Sequence, residues 1–97
     1  MPDYRPEPIE TSNVQLDPSL EPLIERLSES VHDNWALQRL RQGWVHGEER
    51  NDPNRTHPGL VSYRELSEIE KNYDRTTVVE TLKAIVALGY DIRRRES

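Results

Sequence analysis

An apolar stripe at helical spacing runs through the first half of the chain. Its positions are Leu20, Ile24, Leu27 and Val31. Repeats of three and four residues predict an amphipathic helix that buries one face. Ser19 is a suitable N-cap, and Gly43 is the residue type that most often follows a last helical turn. We therefore predict one long helix over residues 19–42.

The stripe does not continue to the end of this helix. Advancing by about 100° per residue places Asn34 and Gln38 on the face that Leu20 and Ile24 occupy. The second half of the helix is therefore expected to pack on something other than the partner of its first half. Either the C-terminal helix or another subunit would satisfy this expectation.

Prolines and glycines delimit the segments around the first helix. Residues 1–18 contain four prolines, which disfavour helix and predict an extended arm. Its apolar residues would pin the arm to the body, or residues 1–5 would fray. Residues 43–61 combine glycine, proline and charge, and their apolar side chains predict an ordered loop. Trp44-Val45-His46 within it suits a short strand.

The last third of the chain contains two capping boxes. Ser67 with Glu70 predicts one helix start, and Thr77 with Glu80 predicts a second, so we expect two C-terminal helices. Gly89 would end the last helix, and Tyr90-Asp91-Ile92 alternates as a short strand does. The predicted fold is mainly α with short β-strands, a single compact domain over residues 19–92, and a charged tail over 93–97.

Composition narrows the possible functions. The 97 residues carry a formal net charge of -5 and no cysteine, and only 33% of them are hydrophobic. An acidic surface argues against a nucleic-acid polymer as partner, and the absence of long apolar runs argues against a membrane. We expect a soluble cytoplasmic protein. His32, His46 and His57 show no metal-ligand spacing, so structural or surface roles are favoured and no metal or cofactor is predicted.

One strip of the first helix offers candidate chemistry. It consists of Ser28, His32, Trp35 and Arg39, which recur at helical spacing beside the apolar stripe. An imidazole, an indole and a guanidinium in a row suit a planar anionic ligand, which would stack on the indole while the cations meet its charge. The structural alternative is that Trp35 is half-buried core and Arg39 covers it with its stem.

The charged loop offers a second candidate in residues 48–52. Arg50 suits a phosphate, and Asn51 with Asp52 suits an Asx turn, although a solvated loop explains the same residues. No Ser, His and Asp arrangement, glycine elbow or phosphate-cradling loop is present. We therefore predict no catalytic residues.

Several stretches, taken together, resemble the ryanodine-receptor repeat domain (the RYR domain) over nearly the whole chain. They are Pro8-Ile9-Glu10-Thr11-Ser12, His32-Asp33-Asn34-Trp35-Ala36, Gly43-Trp44-Val45-His46-Gly47, His57-Pro58-Gly59-Leu60-Val61 with Tyr63 and Leu66, Glu70-Lys71, Asp74-Arg75, Leu82-Lys83-Ala84-Ile85 and Leu88-Gly89-Tyr90-Asp91-Ile92. No single stretch is specific, but their order and spacing are. The resemblance is to single-copy prokaryotic or phage members.

This resemblance implies a non-catalytic, helical binding module. In the channels that carry the domain as tandem pairs, a nucleotide-type ligand lies between the halves and stacks on a tryptophan, which here corresponds to Trp35. One copy per chain then implies a homodimer, whose second subunit would cover the rest of the first helix. The resemblance also makes Trp44 the core anchor. The implied ligand-binding set is Trp35, Arg39, His32, Arg50, Asn51 and Asp52.

Two other functions are consistent with these residues. The first is a protein–protein interaction or assembly domain, in which both tryptophans are purely structural. The second, more remote, is a nucleotide hydrolase that uses Asp33 and His57, although the sequence contains no recognisable pair of base and nucleophile.

Overall fold

Two long helices dominate the computed structural model, which describes residues 3–96. Helix α1 spans Glu21–Arg41 and α2 spans Glu68–Ala87, with strands β1 (Val45–His46) and β2 (Thr56–His57) between them. The predicted class, mainly α with short strands, is confirmed. The predictions for residues 1–2 of the arm and for Ser97 of the tail lie outside the described residues.

The start of α1 differs slightly from the prediction. A 3-10 turn, Pro18–Leu20, precedes the α-helix, and the Asp17 carboxylate accepts a hydrogen bond from the Ser19 backbone N–H at 2.8 Å. Asp17 therefore caps this turn in place of Ser19. The other end agrees with expectation, because Gly43 follows the helix with a positive φ of 89°, a conformation that glycine adopts without strain.

The C-terminal half contains one helix where two were predicted. Ser67 and Glu70 form the expected capping box at the start of α2. Thr77, however, lies inside the helix, where its hydroxyl donates to the Tyr73 carbonyl at 3.1 Å. A threonine hydroxyl can bond either to a cap N–H or back to the carbonyl four residues earlier. The second capping box was therefore a wrong prediction, and the helix continues through it.

The hydrophobic core lies between α1 and the second half of α2. Ile24 packs with Val78 and Leu82, and six partly buried residues surround them: Leu16, Leu20, Leu27, Val31, Val79 and Ile92. Glu25 of α1 contacts Arg75 of α2, whereas Leu20 lies in one groove with Val86. Because later residues of α1 meet earlier residues of α2, the helices run antiparallel.

The two chain ends pack beside this core. Leu16 and Ile92 contact it, and the buried Thr11 hydroxyl donates to the Glu80 carboxylate at 2.8 Å. Tyr4 and Ile9 remain exposed, so the later part of the extended arm is the pinned part. Residues 90–92 form no strand. Strand geometry requires a paired neighbour, and the short sheet lies in the loop segment, where β1 and β2 already pair.

The segment between the helices is ordered, as predicted. Its strands pair in parallel, with Val45 opposite Thr56 and His46 opposite His57. A Cβ at Gly47 would lie 2.6 Å from Cβ of Thr56, so only glycine permits this close approach. The loop thereby becomes a fixed wall against the second half of α1.

A polar network joins the same wall to the two helices. The Glu25 carboxylate accepts from Nε of Arg75 at 2.9 Å and from the Tyr63 hydroxyl at 2.9 Å. Arg75 also donates to Glu68 at 2.8 Å. These donors lower the pKa of Glu25, with Arg75 the largest cause. Tyr63 is thus held between α1 and α2.

Candidate functional site

The predicted strip on α1 is the inward face of that helix. Ile24, Ser28 and His32 are its buried residues, spaced four apart, and Trp35 and Arg39 continue the line half-buried. The second half of this face packs on the loop segment, because Trp35 and Arg39 contact rings that the loop supplies. The expected change of packing partner is therefore real, although within the described chain the partner is the loop rather than the C-terminal helix.

His32 is fixed at the base of the strip. Its Nε2 lies 2.7 Å from the Val61 carbonyl oxygen. Because a carbonyl only accepts, Nε2 must carry the proton and donate. The imidazole stacks on Trp35 with ring centres 5.6 Å apart and planes inclined by 30°. His32 therefore orients the indole as well as filling space.

Trp35 meets the loop through His57 and Gly59. The His57 ring lies edge-on to the indole at 4.9 Å between centres. A Cβ at Gly59 would lie 3.4 Å from Cη2 of Trp35 and 3.1 Å from two His57 ring atoms. The Gly59 N–H also donates to Nδ1 of His57 at 2.8 Å. Glycine at position 59 thus lets the backbone approach both rings.

Arg39 joins the two tryptophans. Its guanidinium carbon lies 5.9 Å from the Trp35 ring centre and 5.1 Å from that of Trp44, distances typical of cation–π contacts. Trp44 is buried, as expected of a core anchor, whereas Trp35 keeps part of its surface exposed. The structural interpretation of Arg39 is therefore correct in part, because its head covers indole surface.

The exposed part of Trp35 lines a cleft between α1, the loop and the start of α2, which we call the Trp35 cleft. It has a volume of about 230 Å³, and its walls are formed by His32, Trp35, His57, Gly59, Leu66, Glu70, Tyr73 and Asp74. Aromatic and imidazole rings line it together with two carboxylates. The cleft can therefore accept a flat ring that also carries hydrogen-bond donors.

Two groups in the cleft have shifted protonation equilibria. Burial is the main cause that lowers the pKa of His57, and the charges of Arg50 and Arg39 lower it further. Burial likewise raises the pKa of Asp74, while the nearby His32 opposes the shift. The His57 ring is therefore held neutral, with Nδ1 accepting from Gly59 and its proton on Nε2.

The remaining predicted site residues lie in the charged loop. Arg50 pairs with Asp52 at 2.9 Å between Nε and Oδ1, and both side chains are exposed. The Asn51 side chain accepts from the Asn54 N–H at 3.0 Å, and its backbone forms a bridge with Thr56. This hydrogen bond reaches the backbone three residues on, whereas the predicted Asx turn would reach the backbone two residues on. None of these three residues lines the cleft, although the charge of Arg50 reaches His57.

The sequence prediction missed most of the cleft wall. His57 was expected in a structural or surface role and Glu70 in a capping box, whereas Gly59 and Asp74 belonged to the resemblance alone and Tyr73 was not predicted at the site. Tyr73 and Asp74 follow Glu70 by three and four residues, which places the three side chains on neighbouring positions of one helix surface.

Over residues 3–96, no group of three or more His, Asp or Glu side chains is placed to hold a metal ion. Within the same range, neither helix combines the length and the apolar character that crossing a membrane requires.

An antiparallel helix pair with an ordered loop packed on one half of α1 defines a small helical module with a cleft at the loop. A family model described as the RyR domain matches residues 4–94. The chain therefore belongs to the RyR domain family, as the resemblance of its motifs indicated.

Proposed function

We propose that this RyR domain is a non-catalytic binding module that takes a small nucleotide-derived ligand in the Trp35 cleft. The observation that carries the proposal is the combination of rings and charges at one place. A half-buried indole, a neutral imidazole and a tyrosine ring line the cleft, and Arg39 lies beside it over the same indole. A base would lie against the rings, and phosphate would extend toward Arg39.

Arg50 would supply a second cation for the phosphate. Its ion pair with Asp52 is exposed, and exposed pairs of this kind contribute little to stability. Exchanging the carboxylate for a phosphate would therefore cost little. Asn51 would shape the loop through its hydrogen bond with the Asn54 N–H, and His32 would orient the indole.

The size of the cleft favours a site that a second subunit completes. About 230 Å³ is below the roughly 300–1,000 Å³ of pockets that enclose a whole small molecule. One chain would then cover the base, and the equivalent surface of a second chain would cover the rest in a twofold homodimer. Light scattering at micromolar concentration should show a dimer with ligand present, and a monomer both with and without ligand would contradict this part of the proposal.

Tryptophan fluorescence tests the ligand directly, since the chain has only two tryptophans. Trp44→Phe leaves Trp35 as the reporter, and Trp35→Phe is the matched variant that leaves Trp44. Titration with ATP, ADP, cyclic nucleotides and NAD-like compounds should quench the fluorescence of Trp35 in Trp44→Phe. The same compounds should bind Trp35→Phe more weakly. No response from any compound at millimolar concentration, by fluorescence or by calorimetry, would refute nucleotide binding.

A protein-docking function is the second candidate, and one observation favours it. Ile69 and Tyr73 of α2 are each 72% exposed, and Tyr73 forms part of the cleft wall. Exposed apolar side chains beside a groove are common in protein interfaces. In that case both tryptophans would be structural, and no nucleotide would bind.

A further inference from the structure

Asp74 is the carboxylate in the Trp35 cleft that lacks a donor. Its side chain is half-buried, and no hydrogen bond to it is formed among residues 3–96. The neighbouring Glu70 differs, since its Oε1 accepts from the Ser67 hydroxyl at 2.9 Å and from the Ser67 N–H at 3.3 Å. Glu70 is thus occupied by the helix cap, and Asp74 is the free acceptor on this wall.

His32 forms no hydrogen bond with Asp74 among residues 3–96, and its effect on that carboxylate is electrostatic. Its Nε2 proton is donated to the Val61 carbonyl instead. Burial removes part of the hydration of Asp74 and raises its pKa, although its oxygens still reach solvent. A ligand that brings N–H donors to this wall would replace the hydration that burial removes.

The loop wall presents the opposite chemistry. Nδ1 of His57 accepts from the Gly59 N–H at 2.8 Å, so the neutral ring carries its proton on Nε2 as a donor. The rings of Trp35 and Tyr73 supply flat apolar surface in the same cleft. A matching ligand is a planar ring with donors on one edge and acceptors on another.

We propose that the Trp35 cleft selects guanine among the nucleobases, with Asp74 accepting from the base and His57 donating to it. Guanine offers two donors, N1–H and the 2-amino group, which an ionised carboxylate accepts as a pair, and its O6 and N7 are acceptors. Adenine has a single amino donor between two acceptor nitrogens, so an ionised Asp74 would face a lone pair. This inference rests on the proposed nucleotide-binding function and names the base.

Calorimetry with the 97-residue chain and a ligand series tests the proposal without any mutation. GMP and IMP differ only in the 2-amino group. AMP lacks the 2-amino group and the N1–H donor, and it carries an amino group in place of O6. At pH 7.5 we expect GMP to bind about 10-fold or more tightly than IMP, because losing a donor leaves the carboxylate unpaired. AMP should bind more weakly than GMP. Equal affinities for GMP and IMP, or tighter binding of AMP, would overturn the guanine assignment.

Asp74→Asn tests the residue. An amide both donates and accepts, as adenine recognition requires, so the ratio of GMP to IMP affinity should fall toward one while AMP binding improves. Asp91→Asn is the matched control, because Asp91 is an exposed carboxylate outside the cleft. His57→Gln should weaken GMP and IMP equally, since both carry O6. An unchanged ratio in Asp74→Asn would remove Asp74 from base recognition.

Failure of this inference and failure of the proposed function give different results. If GMP, IMP and AMP bind equally and Trp35→Phe weakens all three, the site is a nucleotide site without guanine selection. If none of the three binds at millimolar concentration, the guanine assignment is refuted, and the nucleotide proposal is refuted with it when ATP, ADP, cyclic nucleotides and NAD-like compounds also give no response.

Discussion

Trp44 and Trp35 differ in burial, and the same substitution should therefore affect them differently. Trp44 is only 9% exposed, whereas Trp35 keeps an open edge in the cleft. We expect Trp44→Ala to lower the free energy of unfolding by roughly 3–5 kcal/mol, the range for a large buried side chain. Trp35→Ala should cost less, about 0.5–3 kcal/mol, while abolishing ligand binding.

Urea unfolding followed by circular dichroism would measure both values. The comparison also separates the two candidate functions. A Trp35→Ala chain that folds and no longer binds nucleotide supports the ligand site. A chain that loses as much stability as Trp44→Ala would show instead that Trp35 is a core residue.

At the residue scale, the sequence predicted which side chains of α1 share one face, but not which residues of the loop would cover them. Helical spacing alone brings His32, Trp35 and Arg39 to one face. Whether an indole on that face is covered depends on residues about twenty positions later, such as His57 and Gly59. Those contacts are tertiary, and nothing in the local spacing of α1 encodes them.

At the scale of elements, the continuous α2 predicts an asymmetry between two apparently equivalent capping residues. Ser67 accepts from the Glu70 N–H at 3.2 Å at the true helix start, so Ser67→Ala should cost about 1 kcal/mol of stability. Thr77 lies mid-helix, so Thr77→Ala should change stability by no more than about 0.5 kcal/mol. Chemical denaturation of both variants checks this, and equal costs would indicate a helix break near Thr77.

The elements could be predicted where the deciding residues are local. Gly43 and Gly89 follow the two long helices with positive φ, as their positions suggested. The helix break predicted at Thr77 is wrong because a capping box and a mid-helix threonine share one local sequence pattern. The hydrogen bond from the Thr77 hydroxyl to the Tyr73 carbonyl shows that the helix continues. The strand predicted at residues 90–92 failed for a similar reason, since pairing requires a neighbour that the sequence does not identify.

At the scale of the whole molecule, His57 makes stability depend on pH. Its pKa is lowered in the fold, mainly by burial and then by Arg50 and Arg39, while Glu70 and Asp52 act in the opposite direction. The unfolded chain therefore binds more protons than the folded chain near the ordinary histidine pKa of about 6.5. The contribution of His57 is complete above that value and is lost as pH falls through it toward the lower folded pKa.

Thermal unfolding between pH 8 and pH 5.5 tests this linkage. The wild-type protein should lose stability across the interval, and His57→Gln should lose less. Asp74 has the opposite effect, because its pKa is raised in the fold. Its contribution to stability increases as pH falls through the folded pKa toward the ordinary aspartate pKa of about 3.9, so it cannot produce a loss of stability on acidification. Identical slopes in the two proteins would show that His57 titrates equally in the folded and unfolded states.

Helix α1 belongs to both the core and the cleft, so amide exchange should differ between this helix and the loop that packs on it. The amides near Ser28, which is fully buried, should exchange only when the whole domain unfolds. The strands of the loop segment are held by a few backbone hydrogen bonds. The Val45 N–H donates to the Arg55 carbonyl at 2.9 Å, and the Gly47 N–H donates to the His57 carbonyl at 3.3 Å. Those amides can exchange through local opening. A ligand in the cleft should thus slow exchange in the loop far more than in α1.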